Sequence, residues 1–334
     1  MRTQMIVFAL SMVVALGQDV TRVFQLHHIE NTQDLNEFAT VVRTIAEVPR
    51  VAADAEKKTL EVSGTASRIA IAEWLFTELD RSAFPDSVTK EFRVSNNADD
   101  VARVFYLQNT STVQDFQEVA TTIRTIAEIK RVFTYNRPRA LVVRGTADQI
   151  AAAAWMIHEL DQPAGAKRAD SGEYKMIDTG NHGETAVRVF YLPYTSTIQQ
   201  FQEVATLVRT ITESRRVFTY NAPKALVVRG TADQMAAISW LVHELGTPVT
   251  ADKLASPSYQ MADDTHGENV VQVFYVKDAA TVQAFQQLAT QVRTTIKIRR
   301  VFTYNATMAM TLRGTADQIA AAGQMLKDRQ VAAK

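Results

Sequence analysis

The stretch Arg131–Gln149, RVFTYNRPRALVVRGTADQ, decides how this chain reads. It returns as RVFTYNAPKALVVRGTADQ at Arg216–Gln234 and as RVFTYNATMAMTLRGTADQ at Arg300–Gln318. Val132–Tyr135 is β-branched and aromatic, which predicts a strand. Arg137-Pro138-Arg139 turns the chain, and Ala140–Arg144 predicts the returning strand of a hairpin. Gly145 ends that strand. Thr146 then predicts a helix N-cap, with Gln149 three residues later completing a capping box. Ile150, Ala153, Ala154, Ile157 and Leu160 give this helix an apolar face at helical spacing.

Upstream of the hairpin, Arg103–Leu107 predicts another strand, and Thr110-Ser111-Thr112 offers helix N-caps. Asp115 and Glu118 place acid in the first turn, while Phe116, Val119, Ile123 and Ile126 form one apolar stripe. Lys130 and Arg131 are expected to close that helix with positive charge. The unit is therefore β-α-β-β-α, and two helices on one face of a three-stranded sheet bury both stripes. Phe24, Phe105, Phe190 and Phe274 open equivalent segments, and Gly64, Gly145, Gly230 and Gly314 recur at the same spacings of 81, 85 and 84 residues. A fixed period of this kind predicts a tandem array of one folding unit. The fold class expected is α+β, with repeats at 18–81, 88–163, 172–248 and 257–330.

The 334 residues carry 36 Lys plus Arg against 36 Asp plus Glu, so no general positive field draws the chain to nucleic acid or an anionic membrane. Cysteine is absent, which removes disulfides, thiolate catalysis and cysteine zinc sites. Arg2, the apolar run Met5–Leu16 and the small residues of Ala15-Leu16-Gly17 predict a secretory signal at 1–17, cleaved after Gly17. Export to the periplasm or cell envelope is the expected location. No transmembrane segment is expected beyond that leader.

The first repeat differs from the others on its second sheet face. Strand alternation points Phe24, Leu26, Leu60 and Val62 inward and leaves Val23, Gln25, Asp54, Glu61 and Ser63 outward. The same register in the later repeats turns Tyr106, Phe133, Tyr135, Tyr191, Phe218, Tyr220, Tyr275, Phe302 and Tyr304 outward. An aromatic face of this size is expected to be an interaction or packing face. The linkers Phe92-Arg93-Val94, Tyr174-Lys175-Met176 and Tyr259-Gln260-Met261 are expected to add an edge strand to the repeat that follows or to pack on its outer face. A neighbouring repeat or another subunit is the alternative cover.

The β-α-β-β-α order and the wording of the first repeat resemble the small N-terminal domains (the short N1 type) of bacterial secretins, which serve type II and type III secretion and type IV pili. The matching residues are Val23–Leu26, Leu35, Phe38, Val42, Leu60–Thr65 and Leu79-Asp80, with Leu141–Thr146 and Leu160-Asp161 in the second repeat. The resemblance implies periplasmic modules that assemble with copies of themselves or with secretion and pilus components. The sequence ends at Lys334 without that family's β-rich channel domain, so assembly and interaction are implied rather than a channel.

Other chemistries leave weaker traces. His182-Gly183-Glu184 and His266-Gly267-Glu268 offer two metal donors each with no third nearby, so no metal is expected. His158 and His243 sit near helix ends, where a cation suits the helix dipole. Arg131, Arg216 and Arg300 form a recurring basic cluster beside aromatic strands, the footing for an alternative reading as a nucleic-acid-binding array of KH-like units. KH domains clamp RNA with a Gly-x-x-Gly loop. Gly145–Asp148 lacks the second glycine and adds a carboxylate. No catalytic elbow, phosphate loop or dinucleotide fingerprint is present, so neither catalytic residues nor a cofactor is expected.

Overall fold

The structure is a computed structural model that describes residues 19–82, 91–94, 100–163, 165–177, 180, 183–250, 253–262 and 267–332. The predicted leader at 1–17, His182 and His266 lie outside the described residues. The first repeat comprises β1 (Val20–Gln25), α1 (Thr32–Ile45), β2 (Arg50–Asp54), β3 (Thr59–Gly64) and α2 (Ala66–Leu79). The second comprises β4 (Phe92–Arg93), β5 (Val101–Tyr106), α3 (Val113–Ile126), β6 (Arg131–Tyr135), β7 (Ala140–Gly145) and α4 (Ala147–Leu160). The third runs through β8 (Tyr174–Lys175), β9 (Ala186–Tyr191), α5 (Ile198–Thr212), β10 (Arg216–Tyr220), β11 (Ala225–Gly230) and α6 (Ala232–Gly246). The fourth runs through β12 (Tyr259–Gln260), β13 (Val270–Tyr275), α7 (Val282–Ile296), β14 (Arg300–Tyr304), β15 (Ala309–Gly314) and α8 (Ala316–Ala332).

The α+β class and the β-α-β-β-α order are as the sequence predicts. The first sheet has strand order β1-β3-β2. Each later sheet has four strands, in the orders β4-β5-β7-β6, β8-β9-β11-β10 and β12-β13-β15-β14. The linker strands β4, β8 and β12 each join the outer edge of the repeat's opening strand, antiparallel to it. The residues pack as two compact units, Met1–Tyr106 with Phe133–Val143, and Leu107–Val132 with Arg144–Lys334. The boundary thus runs through the second repeat rather than between repeats.

Local signals hold each unit together. Thr112 caps α3 in a capping box with Asp115, and Thr146, Thr231 and Thr315 donate the same service to the second helices. Gln149, Gln234 and Gln318 also reach back to backbone carbonyls at the end of the preceding helix, including those of Ala127, Thr212 and Lys297. A Cβ on Gly145 would sit 2.5 Å from the Gln149 Oε1, so a side chain there would push the glutamine out of its capping position. The Leu-Asp step has a matching use. Asp80 accepts the backbone N–H groups of His27 and His28 at 2.9 and 2.8 Å, and Asp161 accepts those of Gln108 and Asn109, both at 2.7 Å. Both pairs tie the end of the second helix to the loop after the first strand. In the third repeat Gly246 replaces the aspartate, and the Tyr194 ring occupies the space a Cβ would need.

One expectation is corrected. Lys130 and Arg131 do not close α3, which ends at Ile126 with Ala127 as its cap. The cations in the last turns of the first helices are Arg43, Arg124, Arg209 and Arg293. Each bends over to donate to the carbonyl of Val51, Val132, Val217 or Val301 on the repeat's hairpin edge strand. Arg131, Arg216 and Arg300 instead open that strand.

Candidate functional site

The face that the first repeat lacks is covered in the others by the helices of the preceding repeat. In the first unit one core joins Phe38, Val41, Ile71 and Leu75 of α1 and α2 to Val104, Tyr106, Tyr135 and Val142 of the second repeat's sheet, with Phe133 packed against it. The third repeat's core likewise takes in Val271, Val273, Tyr275, Tyr304 and Ala309 of the fourth, with Phe302 against it. Tyr191 and Tyr220 are buried in the third repeat, and Phe218 is half-buried. The contrast at one position is sharp: Val23 of the first repeat is 64% exposed, whereas Val104, Val189 and Val273 are fully buried.

Three polar contacts recur across this face. A glutamate on the first helix grips the hairpin of the next repeat. Asn136 donates its backbone N–H and side-chain amide to the two oxygens of Glu37 at 2.9 and 2.8 Å. Asn221 does the same to Glu118 at 2.8 and 2.7 Å, and Asn305 to Glu203 at 3.1 and 2.9 Å. A charged acceptor with two donors in a partly buried place is among the stronger kinds of hydrogen bonding.

A tyrosine on the opening strand then satisfies the end of the second helix. Tyr106 donates to the carbonyl of Glu78 at 2.6 Å, Tyr191 to that of Glu159 at 2.6 Å, and Tyr275 to that of Glu244 at 3.3 Å and its carboxylate at 2.7 Å. These carbonyls belong to the last turn, where a helix leaves acceptors unpaired.

The third contact is an arginine plug. Arg229, 1% exposed, donates to the carbonyl of Ile126 at 3.0 Å and to Glu128 at 3.2 Å. Arg313, also 1% exposed, donates to the carbonyl of Ile211 at 3.0 Å beside Glu213. Burial pulls the Arg229 guanidinium below its ordinary pKa, against the pull of Glu128. Glu128 and Glu213 follow their helices in the left-handed region at φ 54° and 55°, a place glycine usually takes. A carboxylate is needed there as the acceptor.

The predicted basic cluster is part of the same construction. Arg216 bridges Glu128 of the preceding repeat and Glu184 of its own linker, and Arg300 bridges Glu213 and Glu268. The flanking carboxylates hold Arg300 above its usual pKa despite burial. Arg131 is half-buried at the matching position. The Glu of each His-Gly-Glu linker thus serves an ion pair. No group of three or more metal-ligating side chains occurs among the described residues.

All three tryptophans stand at one position of the second helix, where each meets the aromatic of the next linker strand. Trp74 meets Phe92 at 5.4 Å, Trp155 meets Tyr174 at 5.3 Å and Trp240 meets Tyr259 at 5.3 Å between ring centroids. The sequence reading missed these residues, together with the Glu–Asn grip. Their signal was available at the two ends of the chain. Where the first three repeats carry Glu37, Glu118 and Glu203, the fourth has Gln287, and where they carry tryptophan it has Gln324. Glu47, Glu128 and Glu213 give way to Lys297, left-handed at φ 55° like them. At the other end Ala55 stands in the asparagine's place and Ser63 in the arginine's. The glutamates, tryptophans, asparagines and buried arginines of the interface thus differ at the first and fourth repeats, while the arginine that opens the hairpin is kept in the first as Arg50.

No protein-family model matches this chain, and no curated protein does. Among solved structures it is similar to the N-terminal domain of the secretin XcpQ from Pseudomonas aeruginosa, at 18% identity over 43% of this chain and 63% of that one, with a TM-score of 0.20. It is also similar to the type II secretion system secretin GspD of E. coli K12, at 13% identity over 69% of this chain and 39% of that one, TM-score 0.17. The secretin in an ETEC pilotin–secretin AspS–GspD complex matches at 15% identity over 91% of this chain and 54% of that one, TM-score 0.17. The chain therefore spans less than two thirds of the length of each of these relatives. Among the described residues no helix is long and apolar enough to cross a membrane.

Two outcomes are expected of this interface. In a double-mutant cycle on Glu118→Ala and Asn221→Ala, the pair should show a coupling of about 2 kcal/mol in denaturant unfolding, because Asn221→Ala leaves a partly buried carboxylate short of a donor and Glu118→Ala leaves a partly buried amide without its acceptor. Additive losses would show that the grip contributes nothing of its own. The second outcome is alkaline sensitivity. Burial first, and then Asp115, Asp161 and Glu118, push the Tyr220 hydroxyl up to about 12 from 10.0. The folded chain keeps a proton that the unfolded chain loses, so this contribution is intact below pH 10.0 and is lost as pH rises toward 12. Urea midpoints measured across that window should fall, and Tyr220→Phe should flatten the decline.

Proposed function

We propose that the chain is an exported, non-enzymatic scaffold that works by protein–protein contact in an envelope secretion or pilus complex. The observation that carries this reading is the repeated interface itself: recurring glutamate, asparagine, tyrosine and arginine residues are spent on docking one repeat to the next. Each repeat buries its neighbour's apolar sheet face and satisfies its helix ends, the work of an assembly domain. The envelope setting comes from the resemblance of Val23–Leu26, Leu60–Thr65 and the Leu-Asp steps to secretin N-terminal domains, and from the leader predicted at 1–17. The nucleic-acid alternative rests on Arg131, Arg216 and Arg300, and two of these are each already set between two carboxylates.

The residues of the first and fourth repeats oppose the stacking of a second copy through the same interface. Stacking a second copy through the same interface would set Lys297 toward the place of Arg50 and leave Gln287 facing Ala55. Like charges and a missing donor oppose that contact, as polar end repeats do in other repeat arrays.

The test joins location to mass. An alkaline phosphatase fused to the C-terminus should be active in intact bacterial cells, and the purified chain should sediment as a monomer or a discrete oligomer at every concentration. An inactive fusion with the protein in the cytoplasm would overturn the envelope reading. Mass that grows without limit would overturn the capped ends.

A further inference from the structure

Among the described residues, no strand lies on the edge of the first repeat that the other three repeats fill with their own linkers. In the third repeat the linker takes up the outward backbone groups of β9 one after another. Met176 N–H donates to the carbonyl of Thr185 at 2.8 Å, Ser171 N–H to that of Val189 at 2.9 Å, and Val189 N–H returns a bond to Ser171 Oγ at 2.8 Å. The fourth repeat repeats the pattern on β13. Met261 N–H donates to Asn269 at 2.8 Å, Ser256 N–H to Val273 at 2.8 Å, and Val273 N–H to Ser256 Oγ at 3.0 Å. In the second repeat Val94 N–H donates to Asp100 at 2.9 Å.

The equivalent acceptor and donor positions in the first repeat are Asp19, Thr21 and Val23. Among the described residues no strand lies beyond β1 on this side, and no backbone hydrogen bond reaches that edge of Asp19 or Val23. Every residue of β1 but Phe24 is exposed, whereas β5, β9 and β13 are buried at all but one position. The opposite edge of the same sheet is blocked, because Arg43 donates to the Val51 carbonyl. An open edge is a template for another extended chain.

The occupants inside the molecule share a spelling. Ser171-x-x-Tyr174-x-Met176 and Ser256-x-x-Tyr259-x-Met261 have a hydroxyl residue, an aromatic three positions on and a methionine two beyond that. Thr89-x-x-Phe92-x-Val94 keeps the same order with smaller residues. The serine supplies two bonds to one residue of the edge, and the aromatic and methionine cover the sheet's outer face. We propose that the β1 edge binds an extended segment of a partner protein with this hydroxyl-x-x-aromatic-x-aliphatic pattern, antiparallel to β1, with its serine on Val23. This names the kind of contact through which the scaffold proposed above would engage its complex, and it rests on that reading.

The probe is the chain's own linker as a free peptide, Lys253–Ala262 (KLASPSYQMA), added to the full-length chain. Amide signals of Thr21 and Val23 should shift and saturate, and their hydrogen exchange should slow. A control peptide N-methylated at Ser256 and Met261 keeps the same side chains but loses both edge donors. It should bind at least about tenfold more weakly. No shift at β1, equal binding of the two peptides, or shifts confined to the fourth repeat would each overturn the proposal. A failed peptide titration leaves the location and mass of the scaffold as measured. A cytoplasmic chain that still binds the peptide would sink the envelope reading alone.

Discussion

A sheet that is apolar on both faces must be covered on both, and the rest of this structure depends on that constraint. In β11 all six residues are buried, whereas β3 alternates, with Leu60 and Val62 inside and Glu61 exposed. A strand buried on both sides reads as a continuous apolar run, and one that faces water reads as an alternation. In the first, third and fourth repeats the repeat's own helices cover one face. The helices of the preceding repeat cover the other, so α1, α3 and α5 must be apolar around a wider arc. Val41, Thr122 and Leu207 are buried there, and Gln291 takes their place on α7 of the fourth repeat.

Polar contacts convert that burial into a fixed register. Apolar faces alone would tolerate a slide of one unit over the next. The Glu–Asn grip, the tyrosine on the last helical carbonyls and the arginine plug each demand a particular residue opposite. They also answer a need at each helix end, where backbone acceptors would otherwise be stranded in a dry interface. Arg229 and Arg313 are the costliest of these, since an unpaired guanidinium could not be buried so deeply. In the first repeat Ser63 stands in their place, and among the described residues no helix end lies opposite it.

The fold was legible because its signals are local. The hairpin of Arg131–Gln149, the Gly-Thr step and the helical stripes each report on neighbours in sequence. The outward aromatics were legible too, as a face in need of cover, though not what covers it. Glu37 and Asn136 lie 99 residues apart, and nothing in either one's surroundings singles it out. The signal lay in comparing the repeats by position, since the glutamate is missing only from the last and the asparagine only from the first. Arg131, Arg216 and Arg300 were misplaced because the helix stops at a left-handed residue that is not glycine, so a period-based reading runs the helix on into the turn. The tryptophans read as core and are core, but of an interface between units.

The central claim is that successive repeats are bound into one another through this sheet-on-helix face. Three variants, each keeping one of Trp74, Trp155 or Trp240 and replacing the other two by Phe, would follow each interface separately by fluorescence in urea. If the repeats are coupled as described, the three reporters lose their signal at a common midpoint, as cooperative neighbours do. Three separate midpoints, each insensitive to destabilising changes in the adjoining repeat, would mean beads on linkers and would contradict the account.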